Sequence, residues 1–111
     1  MIPLEEIHRA RERLGGAVMR TPLVRLDERI WLKLENLQAI GSFKLRSALN
    51  AIRAASPDEL AHGVVTVSAG NMAQGVAWAA REVGVRARII VPDTAPRAKL
   101  DAIERLGGEL V

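Results

Sequence analysis

From Val64 onward the chain alternates between apolar runs too short for helices and amphipathic stretches too long for strands, and this rhythm limits the fold more than any other feature. Val64-Val-Thr-Val67 reads as a buried-type strand and is followed at once by the turn Ser68-Ala-Gly-Asn71. A helix comes next, with Ala73, Val76, Ala77, Ala80 and Val83 on one face and Gly84 after its end. Ala87-Arg-Ile-Ile-Val91 is the second strand. Pro92-Asp-Thr-Ala-Pro96 opens another helix, Gly107-Gly108 close it, and Glu109-Leu-Val111 begins a third strand. Strand, helix, strand, helix, strand at this spacing predicts a parallel sheet with right-handed crossovers. The chain ends as the third strand begins, so the sequence reads as truncated.

The first half has a different rhythm. Leu4, Ile7, Ala10 and Leu14 recur at helical spacing, with Pro3 at the entry, Glu5 and Glu6 at the positive end, and Gly15-Gly16 as a stop. Thr21-Pro22 forces an extended backbone, and Ile30-Trp-Leu-Lys-Leu34 reads as a short strand. Ser42 is placed to cap a helix whose apolar face is Leu45, Ala48, Leu49 and Ile52. Ser56-Pro57-Asp58 breaks the pattern and divides residues 1–55 from residues 56–111.

Several function classes drop out. With no cysteine, disulfides and thiolate metal sites are excluded, and His8 and His62 lack the paired spacing of a zinc site, so no metal is expected. Sixteen basic against thirteen acidic residues give a net charge of +3. The basic residues are scattered, and Arg9-Ala-Arg11-Glu-Arg13 and Arg81…Arg88 read as solvated helix faces. Aromatic residues do not interleave with them, so no nucleic-acid partner is expected. No apolar run approaches the ~20 residues that span a bilayer, and the N-terminus lacks the regions of a signal peptide. A cytoplasmic location is the expectation.

Two segments carry possible chemistry. In Leu34-Glu-Asn-Leu-Gln38…Gly41-Ser-Phe-Lys-Leu-Arg46, Lys44 falls in the first turn of a helix beside apolar residues. The helix dipole and an apolar setting both disfavour an ammonium there, and the free amine is the form that attacks a carbonyl. From position alone, an ordinary exposed helix lysine is the simpler reading. In Ser68-Ala-Gly-Asn-Met-Ala-Gln-Gly75, a strand's carboxyl end meets a helix start, where open α/β sheets bind ligands and free amides attract anions. A plain helix cap explains that segment equally well. A dinucleotide-binding module fits less, because no Gly-x-Gly-x-x-Gly follows Val67.

Taken together, the two segments closely resemble the lysine signature and the asparagine loop of the serine/threonine dehydratases, which depend on pyridoxal phosphate (PLP) and share the tryptophan-synthase-β-like fold. Arg20-Thr-Pro-Leu23, Val91-Pro-Asp-Thr-Ala-Pro96 with Lys99, and Leu106-Gly-Gly-Glu-Leu110 fit the same resemblance, which covers nearly the whole chain. It implies an α/β fold, the N-terminal part of a fold-type II PLP enzyme, with a parallel sheet and flanking helices. Residues 1–55 would start the large PLP-binding lobe, and residues 56–111 the smaller lobe, cut at its third parallel strand. Lys44 would be the catalytic lysine that carries PLP as a Schiff base and moves the substrate's α-proton. Phe43 would pack by the cofactor ring, and Asn71 would hydrogen-bond its phenolic oxygen. Ser68, Ala69, Gly70, Asn71 and Met72 would surround the carboxylate of an amino-acid substrate. The implied reaction turns L-threonine or L-serine into a 2-keto acid and ammonia, in a homo-oligomer.

Three positions depart from the family pattern. Ala69 stands where members that racemise serine resemble one another in carrying a second serine, which favours dehydration over racemisation. Met72 replaces the commoner histidine. Ser47 replaces a usual glycine, and its hydroxymethyl group would crowd the cofactor's approach. The glycine-rich phosphate cup and the partner of the pyridine nitrogen lie beyond the matched residues, so these 111 residues alone are expected to be inactive. The alternatives are a serine racemase, a lyase for hydroxyaspartate or another hydroxy amino acid, and a non-catalytic α/β remnant.

Overall fold

A computed structural model describes the whole chain, Met1–Val111. Helix α1 (Leu4–Leu14) follows extended Pro3, carries Glu5 and Glu6 in its first turn and Arg11 and Arg13 in its last, and buries no residue fully. Strands β1 (Leu23–Arg25) and β2 (Trp31–Lys33) form an antiparallel hairpin, with Leu23 opposite Lys33 and Arg25 opposite Trp31. The Asp27 carboxylate closes its turn by accepting the Arg29 and Ile30 amides. The expected strand at residues 30–34 is therefore present but shorter, and its partner strand at 23–25 was not anticipated. Glu35–Leu37 form a single 3-10 turn.

Helix α2 (Lys44–Ala54) buries Leu45, Ala48, Leu49 and Ile52, the face its spacing predicts. Ser42 is not its cap residue. Phe43 holds that position without a side-chain cap, and Ser42 Oγ instead accepts the Lys44 amide at 3.3 Å from one residue upstream. The break at Ser56-Pro57-Asp58 contains a short helix, α3 (Pro57–Leu60). There Ser56 and Glu59 cap each other reciprocally, so proline here starts a helix as well as ending one.

The second half follows the predicted alternation. Strands β3 (Val64–Val67), β4 (Ala87–Ile90) and β5 (Gly108–Leu110) pair in parallel in the order β3-β4-β5, joined by α4 (Asn71–Val83) and α5 (Arg97–Arg105). Gly84, at φ 80°, ends α4 in the left-handed conformation that glycine adopts without strain. Arg81…Arg88 is not one helix face: Arg81 belongs to α4, Arg86 precedes β4 and Arg88 lies on it.

One core joins the halves. The apolar face of α2 packs with Ala73, Ala77, Trp78, Ala79 and Ala80 of α4, and with Ala87, Ile89 and Ile103 from the sheet and α5. Alanine and glycine along α4 permit that close approach. An added Cβ at Gly75 would lie 3.1 Å from the Lys44 carbonyl carbon and oxygen, and 3.3 Å from the Leu45 nitrogen. Gly108 is as confined, since its Cβ would lie 2.6 Å from Ile103 Cγ2. Arg53 caps the end of α1 by donating to the Arg13 and Leu14 carbonyls. The other face of the sheet carries Val65, Val67 and Ile90, all exposed. No helix is long and apolar enough to cross a membrane.

Candidate active site

The Gly75 contact decides what faces what. It sets the first residue of α2, Lys44, against the second turn of α4. Asn71 precedes Gly75 by four residues, one helical turn, and so begins the same face of α4. The start of α2 therefore packs one turn from the start of α4, which itself follows the carboxyl end of β3, the edge where parallel sheets bind ligands. Lys44 is half-buried, and its Nζ lies 4.7 Å from the centroid of the exposed Phe43 ring. No carboxylate forms an ion pair with it.

The loop before α4 is ordered by its own short bonds. The Ser68 amide donates to the Ile90 carbonyl at 3.1 Å and so extends the ladder, while Ser68 Oγ accepts the Gly70 amide at 3.1 Å. Gly70 caps α4 without a side chain, and the first backbone amide to find a partner is Gln74, which donates to Gly70. The amides of Asn71, Met72 and Ala73 are left unspent, aimed along the positive end of the helix. Ala69 adds no hydroxyl, and the Asn71 side chain is exposed.

Ser47 and Met72, two of the departures from the family pattern, line one apolar groove of about 470 Å³ with Ala48, Val65 and Val76. The Ser47 hydroxyl turns back onto its own helix and donates to the Lys44 carbonyl at 3.0 Å. No cluster of histidine or carboxylate groups is placed to hold a metal ion.

A polar network beneath the lysine segment escaped the reading of residues one by one. The Glu35 carboxylate accepts from Arg46 Nε and Nη2 at 2.8 Å each, from the Thr21 hydroxyl, and from Gln38 Nε2 at 3.3 Å. Arg46 also donates to the Met19 carbonyl, and Gln38 grips both the amide and the carbonyl of Met19. Thr21 and Gln38 are buried, which requires that their polar atoms be paired, and they are. The Arg46 hydrogen bonds hold the Glu35 carboxyl down from its ordinary 4.5 to about 2, against the opposing effect of burial. No spacing pattern in the sequence points to this network, because Glu35 and Arg46 stand eleven residues apart in a segment that also holds Lys33 and Lys44.

The residues present fit the aldehyde side of pyridoxal phosphate. They offer a primary amine without a carboxylate partner, an aromatic face beside it, and a glycine-lined helix start with three free amides. The comparisons with known proteins agree. The model of the family described as pyridoxal-phosphate dependent enzyme matches residues 14–111. The L-threonine ammonia-lyase of Thermotoga maritima is 45% identical over 118 residues, covering 100% of this chain and 29% of that protein. An L-threonine dehydratase of Staphylococcus aureus is 40% identical, covering 100% of this chain and 34% of its own length. Among solved structures, maize serine racemase matches with a TM-score of 0.91 and 34% identity, over 96% of this chain and 35% of that one. Threonine deaminase isoform 2 of Solanum lycopersicum matches at 0.87 and 36%, over 97% and 34%. The chain thus spans about a third of the length of the proteins it resembles.

Proposed function

Because this chain belongs to the pyridoxal-phosphate dependent enzyme family, with the mixed α/β fold of the N-terminal part of fold-type II members, we propose that the complete protein dehydrates and deaminates L-threonine and L-serine. The products are a 2-keto acid and ammonia. The observation that carries this reading is the backbone contact of Lys44, at the start of α2, with Gly75, one turn into a helix whose first three amides are unspent. It rests also on a sequence 45% identical to an L-threonine ammonia-lyase.

When bound, the cofactor supplies the electron sink that the reaction needs. Lys44 Nζ would hold it and would be the base that takes the substrate's α-proton. Phe43 and Asn71 would be the side chains that contact it. The amides of Asn71 and Met72, with Ser68 and the small residues Ala69 and Gly70, receive the substrate carboxylate, since a helix start favours an anion. Holding the carboxylate there fixes the Cα–H bond relative to Lys44, and orientation of this kind supplies a large part of enzymic rate. The phosphate cup and the partner of the pyridine nitrogen belong to the remainder of the protein. Residues 1–55 and 56–111 begin its two lobes, and the whole is a cytoplasmic homo-oligomer in this proposal.

Likeness to maize serine racemase favours a second reading, conversion of L-serine to its D-enantiomer. Ala69 speaks against it, because alanine offers no hydroxyl to return a proton from the opposite face. Product analysis on the complete protein separates the two. L-Threonine and L-serine are expected to give equal amounts of keto acid and ammonia. D-Serine as the main product would replace this reading with the racemase, and keto acid only from hydroxyaspartate would change the substrate.

A further inference from the structure

The Lys44 ammonium makes no hydrogen bond or ion pair within the chain and lies over the Phe43 ring, so the backbone of α2 is what aims this side chain. Two restraints fix that backbone. One is the Gly75 contact, which holds Lys44 from the α4 side. The other is the Glu35–Arg46 pair, which spans the lysine on the opposite side of the sequence. Glu35 lies nine residues before Lys44, in the 3-10 turn, and Arg46 lies two after it, in the same helical turn as the lysine. The connection between them passes through Gly41 at φ +66°, a backbone position that holds its path only weakly by itself.

We infer that Glu35 is a positioning residue for Lys44, acting through the two-pronged hydrogen bond to Arg46. The inference rests on the proposed cofactor role of Lys44 and goes beyond it. The pair is more than a surface ion pair. Its side chains are 17% and 30% exposed, and Glu35 accepts four hydrogen bonds from three different segments. The fork geometry matters as well as the charge, because a guanidinium meets a carboxylate with two parallel bonds and an ammonium cannot. Thr21 and Gln38 donate to the same two carboxylate oxygens, and Gln38 and Arg46 both close on Met19. The turn before the lysine is thereby tied to the chain entering the hairpin. A displacement of ~1 Å at a reacting group costs on the order of a hundredfold in rate, so a looser first turn has a measurable consequence.

The test measures cofactor capture by the complete apo-protein. Pyridoxal phosphate is added, the visible absorbance of the lysine-bound cofactor is followed in time, and borohydride fixation with peptide mapping reports the lysine used. Glu35→Gln and Arg46→Lys are expected to slow capture at Lys44 about tenfold, a fraction of the full misplacement cost. Far-UV circular dichroism should stay at the unsubstituted value, while the unfolding midpoint falls by the stability that the fork contributes. Thr21→Val, which leaves the Arg46 fork intact, should slow capture less, and it carries the test if the charge variants do not fold. Unchanged capture in folded Glu35→Gln and Arg46→Lys proteins overturns the inference. So does normal capture by Arg46→Lys alone, which would mean that charge suffices, and so does slowing that vanishes when the variants are cooled well below their midpoints. Absence of label on Lys44 in the unsubstituted protein would overturn the cofactor assignment itself, along with the inference built on it.

Discussion

A methyl group at position 75 has no free space to enter. Its neighbours at 3.1 Å are the carbonyl carbon and oxygen of Lys44, backbone atoms that cannot rotate aside. Gly75→Ala therefore has to push the start of α2 away from α4. Overpacking of this kind costs about 1–3 kcal/mol, here set against a gain in helix propensity of ~1 kcal/mol over glycine. A net loss of stability in urea is expected, together with slower cofactor capture, because the atoms displaced belong to the lysine. A stabilised protein with unaltered capture would show that the two helix starts adjust freely. The same residue scale explains Ser47. Its hydroxyl satisfies itself on the Lys44 carbonyl at 3.0 Å and so stays within its own helix.

At the scale of elements, α2 is held twice: by burial of Leu45, Ala48, Leu49 and Ile52, and by the Glu35–Arg46 fork at its start. The fork brings a pH dependence whose sign is fixed. The folded Glu35 carboxyl sits at about 2, below the ordinary 4.5, so its contribution is complete above pH 4.5 and is lost as pH falls toward 2. An acid unfolding titration of the complete protein should show this loss, and Glu35→Gln should flatten the curve between those limits. An unaltered acid limb would mean that Glu35 gains nothing on folding. Most of the elements were legible in the sequence because they depend on local signals. The apolar spacing of α2 and α4, Gly84, and the short runs of β3 and β4 each specify their own structure. The hairpin was half legible, since β1 is only three residues long, is exposed throughout, and gains its identity from pairing with β2. The Glu35 network was invisible to any pattern of spacing, because its members at 19, 21, 35, 38 and 46 meet only through tertiary folding. The approach of Lys44 to Gly75 was hidden for the same reason.

The whole molecule is a layer with one finished side. Helices α4 and α5 cover the face of the sheet that holds Ala87, Ile89 and Gly108, while Val65, Val67 and Ile90 stand bare on the other. Parallel sheets are ordinarily covered on both faces, and the chain spans about a third of the length of its relatives. In the proposed function, these residues contribute the lysine and the helix start that lies one turn from its backbone contact. That contribution is the central claim, and of the three lysines in these 111 residues, Lys33, Lys44 and Lys99, it singles out one. The most direct measurement is borohydride reduction of the complete protein in the presence of pyridoxal phosphate, followed by digestion and mass mapping of the modified peptide. A pyridoxyl group on Lys44, absent after Lys44→Ala, is the predicted result; a stoichiometric label on Lys33 or Lys99 with Lys44 unmodified would contradict it.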